Sequence, residues 1–422
     1  MQRFQGLIGI ALILGLAYLF SNNKKRINFR LVITGIIIQV VIAVLVFKVQ
    51  PVEQFFAWLG RGIGKLESFA RQGVSFVYSG VVVEPVSGSG SFMNYANGGF
   101  VFAFNIIGIL TLVCALVALF YYFGIIQKVV SFLAKGMNYI MRVSGAEALS
   151  NIASTFVGQV EAQVMIRPYL PGMTMSELLS SMTGSLACIS GGILIVYAGM
   201  GERAGLNLAP TLIAASLMAA PGALVISKIV FPETEESQTM GRVKLPVTNT
   251  YKNVIDAIAH GAGDGFKIAL NVIAMLIGFI AIIACLDYVL QKIGILFHLP
   301  FQLSLTWIFG KIFYPFAWAM GVPQHDIAGS ATLLGEKLSI NEFIAFNNLT
   351  NKSVDIAPGK GMLITSIAIC GFANFSSVGM LIGGIGEIAP ERKTDLARLG
   401  LKALFCGTLA SYLSATIAGI LM

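Results

Sequence analysis

Long apolar runs separated by short polar segments set the pattern of this chain. Eight runs stand out, at 5–20, 31–47, 98–123, 177–200, 206–231, 265–290, 361–383 and 400–421. Most reach the roughly 20 residues that an α-helix needs to cross a bilayer core. They predict an all-α polytopic membrane protein. The first run is as short as a signal-peptide core, but only one basic residue precedes it and no small-residue cleavage pattern follows, so it reads as a first span. The stretch 52–72 spaces its apolar residues as a helix does and carries Arg61, Lys65 and Arg71, which predicts a helix lying in the membrane interface. The segment SGSGSF at 87–92 lacks the Lys-Ser/Thr ending of a phosphate loop and reads as a flexible turn.

Beyond residue 97 the pattern occurs twice. Each half opens with a long span (98–123; 265–290) and continues with an amphipathic or interfacial stretch (127–142; 303–320). Next comes VSGAEALSNIASTFVGQVEA in one half and VPQHDIAGSATLLGEKLSINEF in the other. Both begin with Val, carry an acid a few residues on (Glu147; Asp326), and end near a glutamate (Glu161; Glu342). Too polar to span and too apolar for loops, they fit re-entrant helical hairpins. About thirty residues after each glutamate a span is interrupted, at LACISGG (186–192) and at CGFANFSS (370–377). By the span count the halves enter the membrane from opposite sides. An inverted repeat with broken helices in matching places points to a secondary transporter whose site lies at the breaks. The expected division is 1–97 (spans and interfacial helix), 98–142, 143–232 (first hairpin and two spans), 233–320, and 321–422 (second hairpin and two spans).

Composition sharpens this picture. Of 422 residues, 56% are apolar and 11% charged, against about a quarter charged in soluble proteins. The net charge of +8 is no nucleic-acid signature, because the basic residues sit in loops. Lys24, Lys25, Arg26 and Arg30, then Lys128, Lys135 and Arg142, then Arg242, Lys244 and Lys252, then Arg392, Lys393 and Arg398 fall on one side when spans are counted alternately. The positive-inside rule makes that side cytoplasmic and places both termini outside. The five cysteines lie in apolar segments without paired spacing and the three histidines are scattered, so neither a disulfide framework nor a metal cluster is indicated.

The chemistry concentrates at the interruptions. A carboxylate at the centre of a lipid-facing helix costs about 2.5–3.5 kcal/mol even on the lenient insertion scale. Two of them in matching places, with Gln159 and Asn341 beside them, read as functional; the structural alternative is neutralisation by Arg167 or Lys337. Asn374 inside a span needs partners. Phe372 offers either ordinary core packing or a flat wall for a planar ligand. An unwound turn at Ile189, and another at Val157, would free carbonyls for a cation. Carboxylates, amides, hydroxyls and a ring, without a permanent positive charge, suit a neutral solute rich in donors and suit a phosphate poorly. A membrane enzyme would need a catalytic His/Asp/Glu or Ser–His constellation, which is absent. A channel would favour rings of like residues around a symmetry axis, whereas here the polar groups converge within one chain.

The sequence FVGQVEA followed by RPYLPGMT and SEL, then NEF, CGFANFSS, GEIAPERKTDLARLG and SATIAG, resembles the concentrative nucleoside transporters. The likeness runs along nearly the whole chain, including SNNKKRINFR. It implies a bacterial-type symporter in the cytoplasmic membrane: a homotrimer whose protomers have eight spans, two re-entrant hairpins and an interfacial helix. A transport part would move as an elevator against a scaffold. Carried over by residue, Gln159 and Glu161 hydrogen-bond the nucleobase, Gly158 lets the tip approach it, and Ile193 lines the base pocket. Glu342, Asn374 and Ser377 bind the ribose, and Phe372 lies beside sugar and base. At the tip Val160 stands where the family usually has Thr and Gln163 where it has Pro, which bears on base preference. The family's sodium site corresponds to Ser154, Val157, Cys188 and Ile189. The sodium-driven members have Asn and Ser or Thr where Ser154 and Cys188 stand here, and a thiol is a poor ligand for a hard cation. The resemblance therefore implies sodium as the coupling ion with a proton as the alternative, and no further cofactor.

Overall fold

The computed structural model describes residues 2–52, some positions between 54 and 77, 102–240 and 251–422. Much of the expected interfacial helix, the SGSGSF segment, Arg242 and Lys244 lie outside the described residues. Every regular element among the described residues is helical. The first spans are α1 (Gln2–Leu19) and α2 (Phe29–Lys48). They are followed by α3 (Phe102–Tyr122), α4 (Ile125–Met141), α5 (Gly145–Phe156), α6 (Glu161–Val164), α7 (Met175–Ala187), α8 (Gly191–Arg203) and α9 (Ala209–Val230). The same order then recurs as α10 (Val254–Leu296), α11 (Leu305–Ala319), α12 (Ile327–Ser339), α13 (Glu342–Thr350), α14 (Lys360–Ile369), α15 (Phe375–Ile388) and α16 (Lys393–Leu421). Four stretches of described residues are long and apolar enough to cross a membrane: Phe29–Lys48, Met175–Glu202, Ala209–Val230 and Pro390–Leu421. A fifth, Ile106–Tyr122 with Ile125–Met141, is bent by 74°. That bend falls at Gly124, which adopts φ +72°, a conformation open to glycine.

Local capping chemistry fixes where the helices start. Ser144 and Glu147 form a reciprocal capping box at α5, and Thr174 and Glu177 form another at α7. Glu147 has a second task. Its carboxylate lies 2.8 Å from the buried Lys228 ammonium, which also reaches Glu233 at 3.2 Å. This knot ties α5 to the end of α9. Asp326, the matching acid of the second half, accepts from the Ala357 N–H at 2.9 Å and so pins the chain ahead of α14. Both acids singled out after the leading Val are thus structural.

Small residues let backbones approach where chemistry needs them close. A β-carbon on Gly261 would meet the Cys114 carbonyl, and one on Gly265 the Leu110 carbonyl, so α3 and α10 lie backbone to backbone. A β-carbon on Gly371, in the second break, would meet the Ala187 carbonyl at the first break. The two interruptions therefore touch. Arg392 joins the halves elsewhere, because its guanidinium donates to the carbonyls of Leu170, Pro171 and Met173. The buried core runs through α5, α7, α9, α12 and α14 to α16, whereas α1, α2 and α10 present apolar side chains such as Ile33, Ile37, Ile277 and Ile280 outward, as spans facing hydrocarbon do.

Candidate functional site

In the first half α5 stops at Phe156, and the four residues 157–160 form the tip before α6 begins at Glu161. At Gly158 a β-carbon would meet the Glu161 carboxylate, which would have to swing aside. Glu161 is exposed to a cavity, and among the described residues it has no basic partner. Arg167 does not neutralise it. Val160 turns away and packs on Gly384 of α15. Gln159 is half-buried with an unpartnered Oε1. Gln163 is buried and fully engaged: its amide donates to Ser185 at 2.8 Å and its carbonyl accepts from Ser181 at 2.7 Å. Ser185 also donates to the Gln159 carbonyl and lies 3.1 Å from the Ser154 hydroxyl. The residues that depart from the family pattern at 154 and 163 thus meet through Ser185.

In the second half α12 ends and α13 begins at Glu342, capped by Asn341, whose side chain accepts from the Ile344 N–H at 2.9 Å. The Asn374 amide donates to the Glu342 carboxylate, while its carbonyl accepts from the Ser377 N–H at 2.8 Å and the Ser376 hydroxyl at 2.8 Å. One side chain therefore starts α15 and holds the glutamate. Glu342, Asn374 and Ser377 are brought together as expected, with Phe372 in the adjoining turn. Tyr197 was not foreseen. It is wholly buried, stacks on Phe346 at 4.4 Å, and sets its hydroxyl beside Glu342 without a hydrogen bond of ordinary geometry. Lys337 does not pair with Glu342 within ion-pair distance; its buried ammonium donates to the Ala368 carbonyl at 2.9 Å, at the end of α14.

A cavity of about 360 Å³ opens between α3 and α10 on one side and the first tip and α8 on the other. It takes in Val157, Gly158, Glu161 and Ile193 of the expected residues and does not reach Gln159, Val160, Glu342, Phe372, Asn374 or Ser377. The two sets are neighbours nonetheless. Ile193 and Tyr197 stand one turn apart on the same face of α8, the first in the cavity wall and the second beside Glu342. The cavity's aromatic walls are Tyr121, Phe156 and Tyr251, its thiol is Cys114, and its second carboxylate is Asp264. Burial first, and the Asp264 carboxylate next, hold the Tyr251 phenol above its ordinary range, so it is a neutral donor. Sequence reading missed these groups. The available signal was Asp264 itself, a carboxylate at the edge of an apolar run and in register with Gly261 and Ile268.

Of the four positions of the expected cation site, Ser154 and Ile189 have oxygens already engaged. The Ser154 hydroxyl donates to the Ser150 carbonyl at 2.8 Å, and the Ile189 carbonyl accepts from Ser216 at 3.0 Å. The Cys188 sulfur lies 3.7 Å from the Thr155 hydroxyl, 3.9 Å from the Asn151 carbonyl and 4.0 Å from the Ser216 carbonyl. A thiol thus occupies the middle of an oxygen-rich pocket. Val157 ends α5 beside it.

Three family models match the chain: "Na+ dependent nucleoside transporter N-terminus" over residues 8–81, "Nucleoside recognition" over 103–204, and "Na+ dependent nucleoside transporter C-terminus" over 211–419. Uncharacterized transporter YutK of Bacillus subtilis is 38% identical, with all of both chains covered. Nucleoside permease NupC of Helicobacter pylori is 34% identical over 98% of this chain and 96% of its own. Among solved structures, CNTnw in an inward-facing substrate-bound state is 36% identical with a TM-score of 0.88, covering 100% of this chain and 98% of that one.

Proposed function

The chain belongs to the concentrative nucleoside transporter family, and from that premise we propose that it is a secondary active symporter importing nucleosides, coupled to inward movement of a cation. One observation carries the reading: a cavity with aromatic walls and carboxylates, and no basic side chain among the described residues, beside two helix breaks that each present a glutamate. Such a lining accepts hydrogen bonds from a neutral planar solute and repels phosphate. Gln159 and Glu161 read the base, with Gly158 clearing space and Ile193 and Val160 at its margin. Glu342, Asn374 and Ser377 hold the ribose, with Phe372 beside sugar and base. The glutamates sit at the tips of hairpins that re-enter the membrane, and the parts built on α5 to α9 and α12 to α16 move as an elevator against α3 and α10, three protomers forming the transporter. It works in the cytoplasmic membrane with both termini outside.

Sodium is the coupling ion on this reading, held by Ser154, the carbonyls of Val157 and Ile189, and the surroundings of Cys188. The proton is the second reading, and a specific observation favours it: the thiol stands where a hard cation wants oxygen, and the nearby hydroxyls are already engaged. Uptake of labelled uridine and adenosine into proteoliposomes tests both readings. Accumulation that vanishes when choline replaces sodium supports sodium. Accumulation that survives choline and rises with an inward proton gradient supports the proton. No accumulation of any nucleoside under either gradient removes the transport reading.

A further inference from the structure

We infer that Asp264 reads the exocyclic amino group of the substrate's base, so that adenosine and cytidine are favoured over inosine and uridine. The inference rests on the nucleoside reading above and names the substrate class within it. Gly261, Asp264 and Ile268 follow the three- and four-residue spacing of one helix face, and all three line the cavity. Asp264 enters from α10, while Glu161 enters from the first tip. Both carboxylates and the Cys114 thiol line the same cavity. Among the described residues neither pairs with Lys, Arg or His, and none of the basic side chains lines the cavity. Two carboxylates facing one small space, with no counter-cation among the described residues, form a pair that only accepts.

An exocyclic amino group carries two N–H bonds and can give one to each carboxylate. A carbonyl oxygen at the same place would turn its lone pairs toward both. Tyr121, Phe156 and Tyr251 supply flat walls for the ring, and the neutral Tyr251 phenol offers a donor to the ring nitrogen that accompanies an amino group. The alternative is that Asp264 is a hydrated charge on a cavity wall with no part in selection.

The matched pairs adenosine with inosine and cytidine with uridine separate these views, because each pair differs only in the amino group and the ring nitrogen beside it. Initial uptake rates into proteoliposomes are compared for the wild type, Asp264→Asn and Asp264→Ser. We expect the wild type to favour the amino member by about tenfold, the loss associated with one charge-assisted hydrogen bond. Asp264→Asn offers an N–H to a base carbonyl, so adenosine and cytidine fall while inosine and uridine rise, and the ratio closes. Asp264→Ser closes it by losing the anion alone. Thermal unfolding in detergent checks that both variants are folded. Equal uptake of both members by the wild type, or an unchanged ratio in folded Asp264→Asn, overturns the inference while leaving nucleoside transport intact. Loss of all four substrates in both folded variants also overturns it, because Asp264 then serves the transport cycle and not the base. Failure of the wild type to accumulate any nucleoside fells the underlying reading instead.

Discussion

The side chain of Asn374 starts α15 with its carbonyl and holds Glu342 with its amide, and substitution can separate these tasks. Serine caps a helix about as well as asparagine but has no amide to reach a carboxylate. Asn374→Ser should therefore keep thermal stability near the wild type while nucleoside uptake falls about tenfold or more, the effect of one lost charge-assisted hydrogen bond. Asn374→Ala should lose both, with about 1 kcal/mol of stability gone with the cap. Uptake assays beside unfolding midpoints check the pair; equal stability losses in both variants would count against the division of labour. Gly158 gives a second residue-scale expectation. A β-carbon there displaces the Glu161 carboxylate, so Gly158→Ala should assemble normally and take up nucleoside on the order of tenfold more slowly. Normal uptake by that variant would place Glu161 outside the substrate's reach.

At the scale of elements, the knot of Glu147, Lys228 and Glu233 holds α5 against α9 at a buried point. Removing one partner leaves an uncompensated charge, so Lys228→Ala should cost about 3–5 kcal/mol. Lys228→Met combined with Glu147→Gln keeps the capping box, because glutamine serves at that position, and should recover most of the loss. A double-mutant cycle on unfolding midpoints reads the coupling; simple additivity would mean the pair contributes little. The elements themselves were partly legible in the sequence. The breaks at 188–190 and 370–374 were visible because Gly, Ser and Asn interrupt apolar runs, and the paired glutamates because carboxylates are costly in spans. The extent of α10 was not visible. Its first turns, 254–264, are polar enough to pass for loop, yet Asn253 caps them, its side chain accepting from the Asp256 N–H at 2.8 Å, and no proline stops the helix before Leu296. The Tyr197–Phe346 stack and the Lys337 contact with Ala368 were hidden for another reason. They join residues far apart in sequence, and a ring or a lysine at helical spacing gives no sign of its partner.

For the whole molecule, the contacts that join the halves include the touching breaks at Gly371 and Ala187 and the fan of bonds from Arg392 to three carbonyls of the first half. A lysine keeps the charge but not the planar array of donors. Arg392→Lys should therefore leave buried carbonyls unsatisfied and cost about 1–3 kcal/mol, read as a lower unfolding midpoint; an unchanged midpoint would show that the halves cohere without it. The proposed trimer predicts three chains per particle by native mass spectrometry in detergent, and a particle of one or two would exclude it. The cavity wall adds an experimental handle. Cys114 borders the space between Glu161 and Asp264, Cys285 lies exposed on the outer part of α10, and Cys188, Cys370 and Cys406 are buried. The chain thus carries one thiol at the cavity and one outside it. A membrane-permeant maleimide should modify both, and saturating nucleoside should slow the reaction at Cys114 while leaving Cys285 unaffected, so occupancy can be followed by mass spectrometry on the native sequence, without an engineered label.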